Sequence, residues 1–157
     1  MKNQNGFTLL ETLIYLSLLG IIFGGAISAT FVMVESSNRT QSHITLLEEG
    51  NFILAKLDWV LRDAESINIS GNVLSINKFS SADNPIVFDS SLRLGRAGSE
   101  LQSLNADNTQ IQNVVFQDIP ATASTTEGLT VSFELSLLQS DRPTSSQSFV
   151  LTHYLKK

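Results

Sequence analysis

One carboxylate lies at the edge of a long apolar segment near the start of the chain. Glu11 is followed by residues 12–34, none of which carries a charged side chain. A charge at the centre of a membrane helix costs roughly 2.5–3.5 kcal/mol, and less near the interface. The cations that precede Glu11 are Lys2 and the terminal amino group. We therefore expect Glu11 to need a positively charged partner in lipid.

Side chains that could perform catalysis form no recognisable arrangement. His43 lies on a predicted helix and His153 on the last predicted strand, and each is better explained as a surface or packing residue than as a base. The serines do not form the Gly-X-Ser-X-Gly motif that presents a nucleophile. Residues 95–98 lack the Lys-Ser/Thr of a phosphate-binding loop. We identify no catalytic residue and predict that the chain is not an enzyme.

A polar loop offers the best candidate for metal binding. Asn105, Asp107 and Thr109 place oxygen-bearing side chains at alternate positions. Calcium takes about six to eight oxygen ligands, so these three are too few by themselves. Turn composition explains the same residues equally well. We predict no bound metal and no cofactor.

The first residues of the chain form a recognisable motif. Gly6-Phe7-Thr8-Leu9-Leu10-Glu11, with the charge-free segment behind it, resembles the N-terminus of type IV pilins and type II secretion pseudopilins. The resemblance implies that residues 1–6 are a leader and that a prepilin peptidase cuts between Gly6 and Phe7. It also implies that Phe7 is N-methylated and that Glu11 is the glutamate used in assembly.

The resemblance also predicts function, partners and location. It indicates a minor pilin or a J-type minor pseudopilin, a structural subunit of a pilus or secretion pseudopilus. Its partners would be other pilins, the prepilin peptidase and an inner-membrane assembly platform. Before assembly it would span the inner membrane once, with a cytoplasmic N-terminus and an extracytoplasmic head. The single Lys2 agrees with this orientation.

Two other interpretations of the N-terminus remain open. A secretory signal peptide also has a basic start and an apolar core, and residues 26–28 resemble its cleavage site. However, the apolar segment is longer than the usual core of about 7–15 residues, and Glu11 would lie inside it. An ordinary signal anchor that carries an extracytoplasmic binding domain or enzyme is the second alternative.

Composition limits the remaining function classes. The chain has 157 residues, a net charge of −5 and a pI near 4.9. Nucleic-acid binding generally requires clustered Lys and Arg, so we expect no direct nucleic-acid contact. The sequence contains no cysteine, which excludes disulfide bonds.

The apolar pattern predicts one long helix. Residues 7–34 are long enough to cross a bilayer, which takes about 20 residues in a helix. Small residues recur within this part, including Gly20 and Gly24 at a spacing that permits close helix packing. Residues 35–65 continue the helix as an amphipathic segment. Its apolar face consists of Leu47, Gly50, Leu54, Leu57, Leu61 and Ala64.

Residues 66–157 read as a head made of consecutive strands. Alternating side chains on either side of Gly71-Asn72 predict a hairpin from 66–70 and 73–76. Further predicted strands are 86–88, 92–94, 114–119, 129–137 and 147–155, with 95–113 as a loop. A helix followed by strands predicts an α+β fold in which an antiparallel sheet packs on the helix.

Overall fold

The computed structural model describes residues 8–79, 82, 84–121, 126–138 and 145–155. It divides into two compact units, Met1–Gln41 and Ser42–Lys157. Helix α1, Leu9–Leu61, contributes residues to both units. Seven strands follow it within the described residues, so the α+β prediction is confirmed.

Helix α1 begins immediately after Thr8, whose side chain caps it. The Glu11 N–H donates to the Thr8 Oγ1 at 3.3 Å and to the Thr8 carbonyl at 3.0 Å. Thr is a favoured residue at this position because its hydroxyl satisfies an N–H group that has no partner within the helix. Phe7, where we predicted the helix to start, lies outside the described residues.

The prediction that α1 continues to residue 65 is wrong. The helix ends at Leu61, and strand β1, Ala64–Ser70, begins three residues later. Ala64 pairs with Lys78 of β2, and the Asp63 carbonyl accepts the Phe79 N–H at 3.3 Å. Backbone groups of residues 63 and 64 that could have continued the helix are therefore used in pairing with β2 and the residue after it.

The first sheet has the order β1-β2-β3-β4, with β2 at Val73–Lys78, β3 at Ile86–Phe88 and β4 at Leu94–Arg96. All of its neighbouring strands are antiparallel. The predicted hairpin around Gly71 is confirmed, and Gly71 has the positive φ of 61° that its turn requires.

The predicted strand at 92–94 is displaced. Leu92 is fully buried at a φ of 51°, and the backbone N–H groups of Ser91 and Arg93 donate to the Asp89 Oδ1. The turn that Asp89 organises therefore continues past Leu92. Strand β4 starts only at Leu94, and residues 95–96 belong to it rather than to the predicted loop.

The second sheet has the order β5-β6-β7 and is also antiparallel. Its strands are Thr109–Ile119, Gly128–Leu137 and Ser146–Tyr154. Strand β5 includes residues 109–113, which we predicted as loop. Its pairing shifts between Gln112 and Val115, and Asn113 there has a φ of 53°. This bulge interrupts the alternation of side chains, so the sequence pattern conceals the first part of the strand.

One apolar core joins the second half of α1 to both sheets. Gly50, Leu57, Leu61 and Ala64 of the predicted face are buried, but Leu47 and Leu54 are only partly so. The helical residues that the prediction missed are Leu46, Ile53 and Val60, all with no exposed surface. The buried face is therefore centred about one residue before the predicted one. The strands contribute Leu74, Ile76, Phe88, Leu129, Val131, Phe133, Leu135 and Phe149, among others.

Candidate processing and assembly site

The first part of α1 presents apolar side chains on all sides. Between Leu9 and Val34 its large apolar side chains are exposed by 47% to 83% of their surface. By length and composition, the helix is long and apolar enough to span a membrane. Burying such a surface is favourable by about 25 cal/mol per Å², so lipid or neighbouring helices would cover it.

Glycines in this segment leave parts of the helix surface open. At Gly20, Gly24 and Gly25 an added Cβ would meet no described atom within 4 Å beyond the adjacent residues and the surrounding helix backbone. Nothing within the described chain itself thus requires glycine at these positions. Because glycine has no side chain, the helix backbone at these positions is accessible to another helix.

Glu11 lies in the first turn of α1 and is partly buried. The Tyr15 hydroxyl donates to the Glu11 Oε1 at 3.3 Å. Residues four apart share a helix face, which brings these two side chains together. The contact supplies a neutral donor, and it is longer than the usual O–H···O distance of about 2.5–3.0 Å. Our sequence reasoning missed Tyr15, although its spacing from Glu11 was visible.

The remaining predicted site residues lie outside the described part of the chain. Gly6 and Phe7, the predicted cleavage junction and methylation site, precede Thr8. Lys2 also lies there. The structure therefore places Glu11 and its helix, while the cut and the modification stay predictions.

Comparison with known families provides the decisive observation. Residues 1–27 match the family described as the prokaryotic N-terminal methylation motif. The chain carries a prepilin-type N-terminus. The match supports a pilin-like protein of the type IV pilin and pseudopilin family that a prepilin peptidase processes. With the exposed helix, it also supports a single-pass anchor in the inner membrane. No curated protein and no solved structure matches the chain significantly.

In residues 103–109, the loop considered for calcium is held by hydrogen bonds. The Asn105 Oδ1 accepts from Ser103 at 2.5 Å, and the Asn105 Nδ2 donates to the Thr109 carbonyl at 2.7 Å. The Thr109 hydroxyl donates to the Glu49 Oε1 at 2.7 Å, and the Ala106 N–H donates to the same oxygen. These contacts tie the loop to α1. Within the described residues, no group of three or more His, Asp or Glu side chains could hold a metal ion.

The two histidines are separate. His43 is exposed on α1, whereas the His153 side chain keeps only 19% of its surface exposed. The His153 Nδ1 lies 3.4 Å from the Asp58 Oδ1. The Arg62 Nη2 donates to the other Asp58 oxygen at 3.2 Å, one helical turn along α1. Asp58 thus connects α1 to strand β7.

Proposed function

We propose that the chain is a minor pilin or pseudopilin, most like a minor pilin or a J-type minor pseudopilin. It would be a structural subunit of a type IV pilus or a type II secretion pseudopilus. The observation that carries this proposal is the match of residues 1–27 to the methylation motif. A continuous helix with exposed apolar side chains follows the motif. A subunit that moves from a bilayer into a filament core needs such a helix.

The proposal assigns a role to each part of the chain. Residues 1–6 are a leader, and residues 7–34 lie first in the bilayer and then in the filament core. Residues 35–65 lead into the head, residues 66–157, although the structure ends the helix at Leu61. The N-terminus begins in the cytoplasm and the head lies outside the inner membrane. Other pilins, the prepilin peptidase and the assembly platform are its partners.

Glu11 provides the proposed assembly contact. Cleavage after Gly6 frees the amino group of Phe7, and one N-methyl group leaves that amine able to carry a positive charge. In a filament this amine would pair with Glu11 of a neighbouring subunit. A low dielectric strengthens such a pair, and the same environment makes either charge costly without its partner. An incoming subunit is thereby held in axial register by its own charge.

Intact mass of the protein from cells tests the processing step. We expect residues 7–157 plus one methyl group. Gly6→Ala should leave an uncut precursor in the membrane. A mass that corresponds to a chain starting near Thr30 would instead indicate cleavage of an ordinary signal peptide and would refute the proposal.

A charge-neutral substitution tests the assembly step. Glu11→Gln keeps the size of the side chain and removes its charge, so we expect normal cleavage and poor incorporation into filaments. Glu35→Gln is a matched control, because that carboxylate lies beyond the charge-free segment and pairs with Arg39 at 3.2 Å. Normal incorporation of the Glu11 variant would overturn the charge-pair mechanism.

A further inference from the structure

The second half of α1 has an exposed aromatic stripe on a face that the core does not use. Phe52, Lys56 and Trp59 follow at steps of four and three, so they share one face of the helix. Phe52 is 49% exposed and Trp59 is 57% exposed. Together with Lys78 of β2, these residues form what we call the Trp59 surface. Aromatic side chains that stay this exposed are typical of protein interfaces.

Two ammonium groups fix the aromatic rings of the Trp59 surface. The Lys56 Nζ lies 5.6 Å from the Phe52 ring centroid and 5.9 Å from that of Trp59. The Lys78 Nζ lies 4.5 Å from the Trp59 centroid and donates to the Trp59 carbonyl at 3.2 Å. Cation–π contacts of this kind favour one orientation of each ring, so the rings are preorganised for a partner.

The Trp59 surface is positive on an acidic protein. Within the described part of the chain, neither the Lys56 nor the Lys78 ammonium lies within 4.0 Å of a carboxylate. Arg62 and Arg93, by contrast, are paired with Asp58 and Asp89. The net charge of the chain is −5. Within the described residues these two ammonium groups contact the Phe52 and Trp59 rings and the Trp59 carbonyl, and a partner's carboxylates would add the ion pairs that Arg62 and Arg93 form inside the head.

A groove of about 380 Å³ begins beside Trp59. Val60, Ile86 and Leu94 give it apolar walls, while Arg96 and Glu100 stand along it. An aromatic rim, cations and an apolar recess suit an apolar side chain flanked by carboxylates. Because the walls of the groove are apolar, they favour a protein segment with an apolar side chain over an anionic polymer that carries only charge.

We propose that the Trp59 surface binds the head of a neighbouring pilin-type subunit, which presents carboxylates to Lys56 and Lys78 and an apolar side chain to the groove. This rests on the proposed function, since a filament juxtaposes successive heads. A helical array uses heterologous contacts, in which one surface of a subunit meets a different surface of the next. A subunit as acidic as this one would provide the complementary charge.

Photocrosslinking of the full-length chain in filament-producing cells tests the proposal. A p-benzoylphenylalanine probe is placed at position 52, and in a control at position 115, where Val115 is 54% exposed on β5. We expect the probe at 52 to capture a second protein with a prepilin-type N-terminus, through a peptide that contains Asp or Glu. Its yield should exceed that at 115 at least fivefold.

Charge variants show whether the lysines cause the capture. Lys56→Gln with Lys78→Gln should lower the yield at position 52 about fivefold, and Lys56→Arg with Lys78→Arg should retain it. Circular dichroism of each purified variant verifies that it is folded.

Three outcomes would each overturn the proposal: adducts only with lipid or glycan, equal yields at positions 52 and 115, or an unchanged yield in a folded Gln variant. If capture is absent while Glu11→Gln still blocks incorporation, the Trp59 surface fails and the proposed function stands. Normal incorporation of Glu11→Gln refutes the assembly mechanism instead.

Discussion

The ring of Phe149 lies against the backbone of α1 at Gly50, where a Cβ atom would stand 2.0 Å from the Phe149 Cζ. Phe149 is 7% exposed and also stacks on Phe133 at a centroid distance of 5.3 Å. Glycine in a helix costs about 1 kcal/mol relative to alanine, so the sequence alone shows only a weak point. The structure shows what offsets this cost, because Gly50 admits an aromatic ring that joins β7 to the helix.

Gly50→Ala should therefore destabilise the head. Overpacking of a core costs about 1–3 kcal/mol, which exceeds the gain of about 1 kcal/mol in helix propensity. We expect a lower midpoint in denaturant unfolding of residues 42–157. Phe149→Leu alone should also destabilise, but the double variant should lose less than the sum of the single variants. Additive losses would show that the ring does not impose glycine at this position.

The head should fold without the first unit of the chain. Every member of the core cluster lies at Leu46 or beyond, so residues 42–157 keep the whole core. Residues 62–157 lose the helical part of it, Leu46, Ile53, Leu57, Val60 and Leu61. We expect cooperative thermal unfolding and a monomeric elution volume for the longer fragment. The shorter one should aggregate through its uncovered sheet faces. A monomeric, folded fragment 62–157 would contradict this placement of the core.

Asp89 should make the stability of the head depend on pH. Partial burial raises the pKa of this carboxyl, but hydrogen bonds from the Arg93 side chain and from the backbone of Arg93 and Ser91 outweigh it and lower the pKa below its ordinary value of 3.8. A carboxyl pKa that is lower in the folded chain than in the unfolded chain stabilises the fold at pH values above the unfolded-state pKa. This stabilisation is lost as the pH falls through the folded-state pKa.

Asp89→Asn tests this dependence in residues 42–157. At pH 7 we expect a loss of about 1 kcal/mol, since the ion pair with Arg93 is partly screened by solvent. The difference from the unmodified head should shrink below about pH 4, where protonation removes the same charge. Glu48→Gln is the control, with a smaller loss expected because that carboxylate is exposed on α1. A difference that stays constant down to pH 2 would contradict the role of the charge.

Periodic segments of the fold were predictable from the sequence, and irregular ones were not. The long helix, the hairpin around Gly71 and strands β6 and β7 follow from regular apolar spacing. The helix end was missed because neither glycine nor proline marks it, and pairing between Ala64 and Lys78 decides it instead. The first part of β5 was missed because a bulge at Asn113 breaks the alternation.

The candidate sites were predictable to different degrees. Gly6, Phe7 and Glu11 stand in a contiguous motif, which can be recognised without any tertiary information. Tyr15 was detectable only by asking which residue lies one turn from Glu11. The Trp59 surface depends on Lys78, which is distant in sequence and reaches Trp59 only because β2 pairs beside the helix end. Such a contact has no local sequence signature.

The hydrogen bond from Tyr15 to Glu11 leads to the last prediction. A carboxylate has room for several donors, so in the proposed assembly contact the phenol can stay bound while the amine of a neighbouring subunit pairs with Glu11. In lipid the phenol would lower the cost of the charge before that amine arrives. Tyr15→Phe should therefore be cleaved normally but reach filaments less efficiently than the unmodified chain. The loss should be smaller than that of Glu11→Gln, since only one neutral donor at 3.3 Å is removed.

A comparison of single and double variants separates the hydrogen bond from simple packing of the ring. Quantitative immunoblots would measure the processed protein in the inner membrane and in sheared filaments. If Tyr15 acts through the charge on Glu11, then Tyr15→Phe should change neither amount further in a Glu11→Gln background. The membrane amount keeps this comparison measurable even where filaments are scarce. An equal effect of Tyr15→Phe in both backgrounds would show that its hydroxyl acts independently of Glu11, and an unchanged filament fraction in the single variant would show that the contact has no part in assembly.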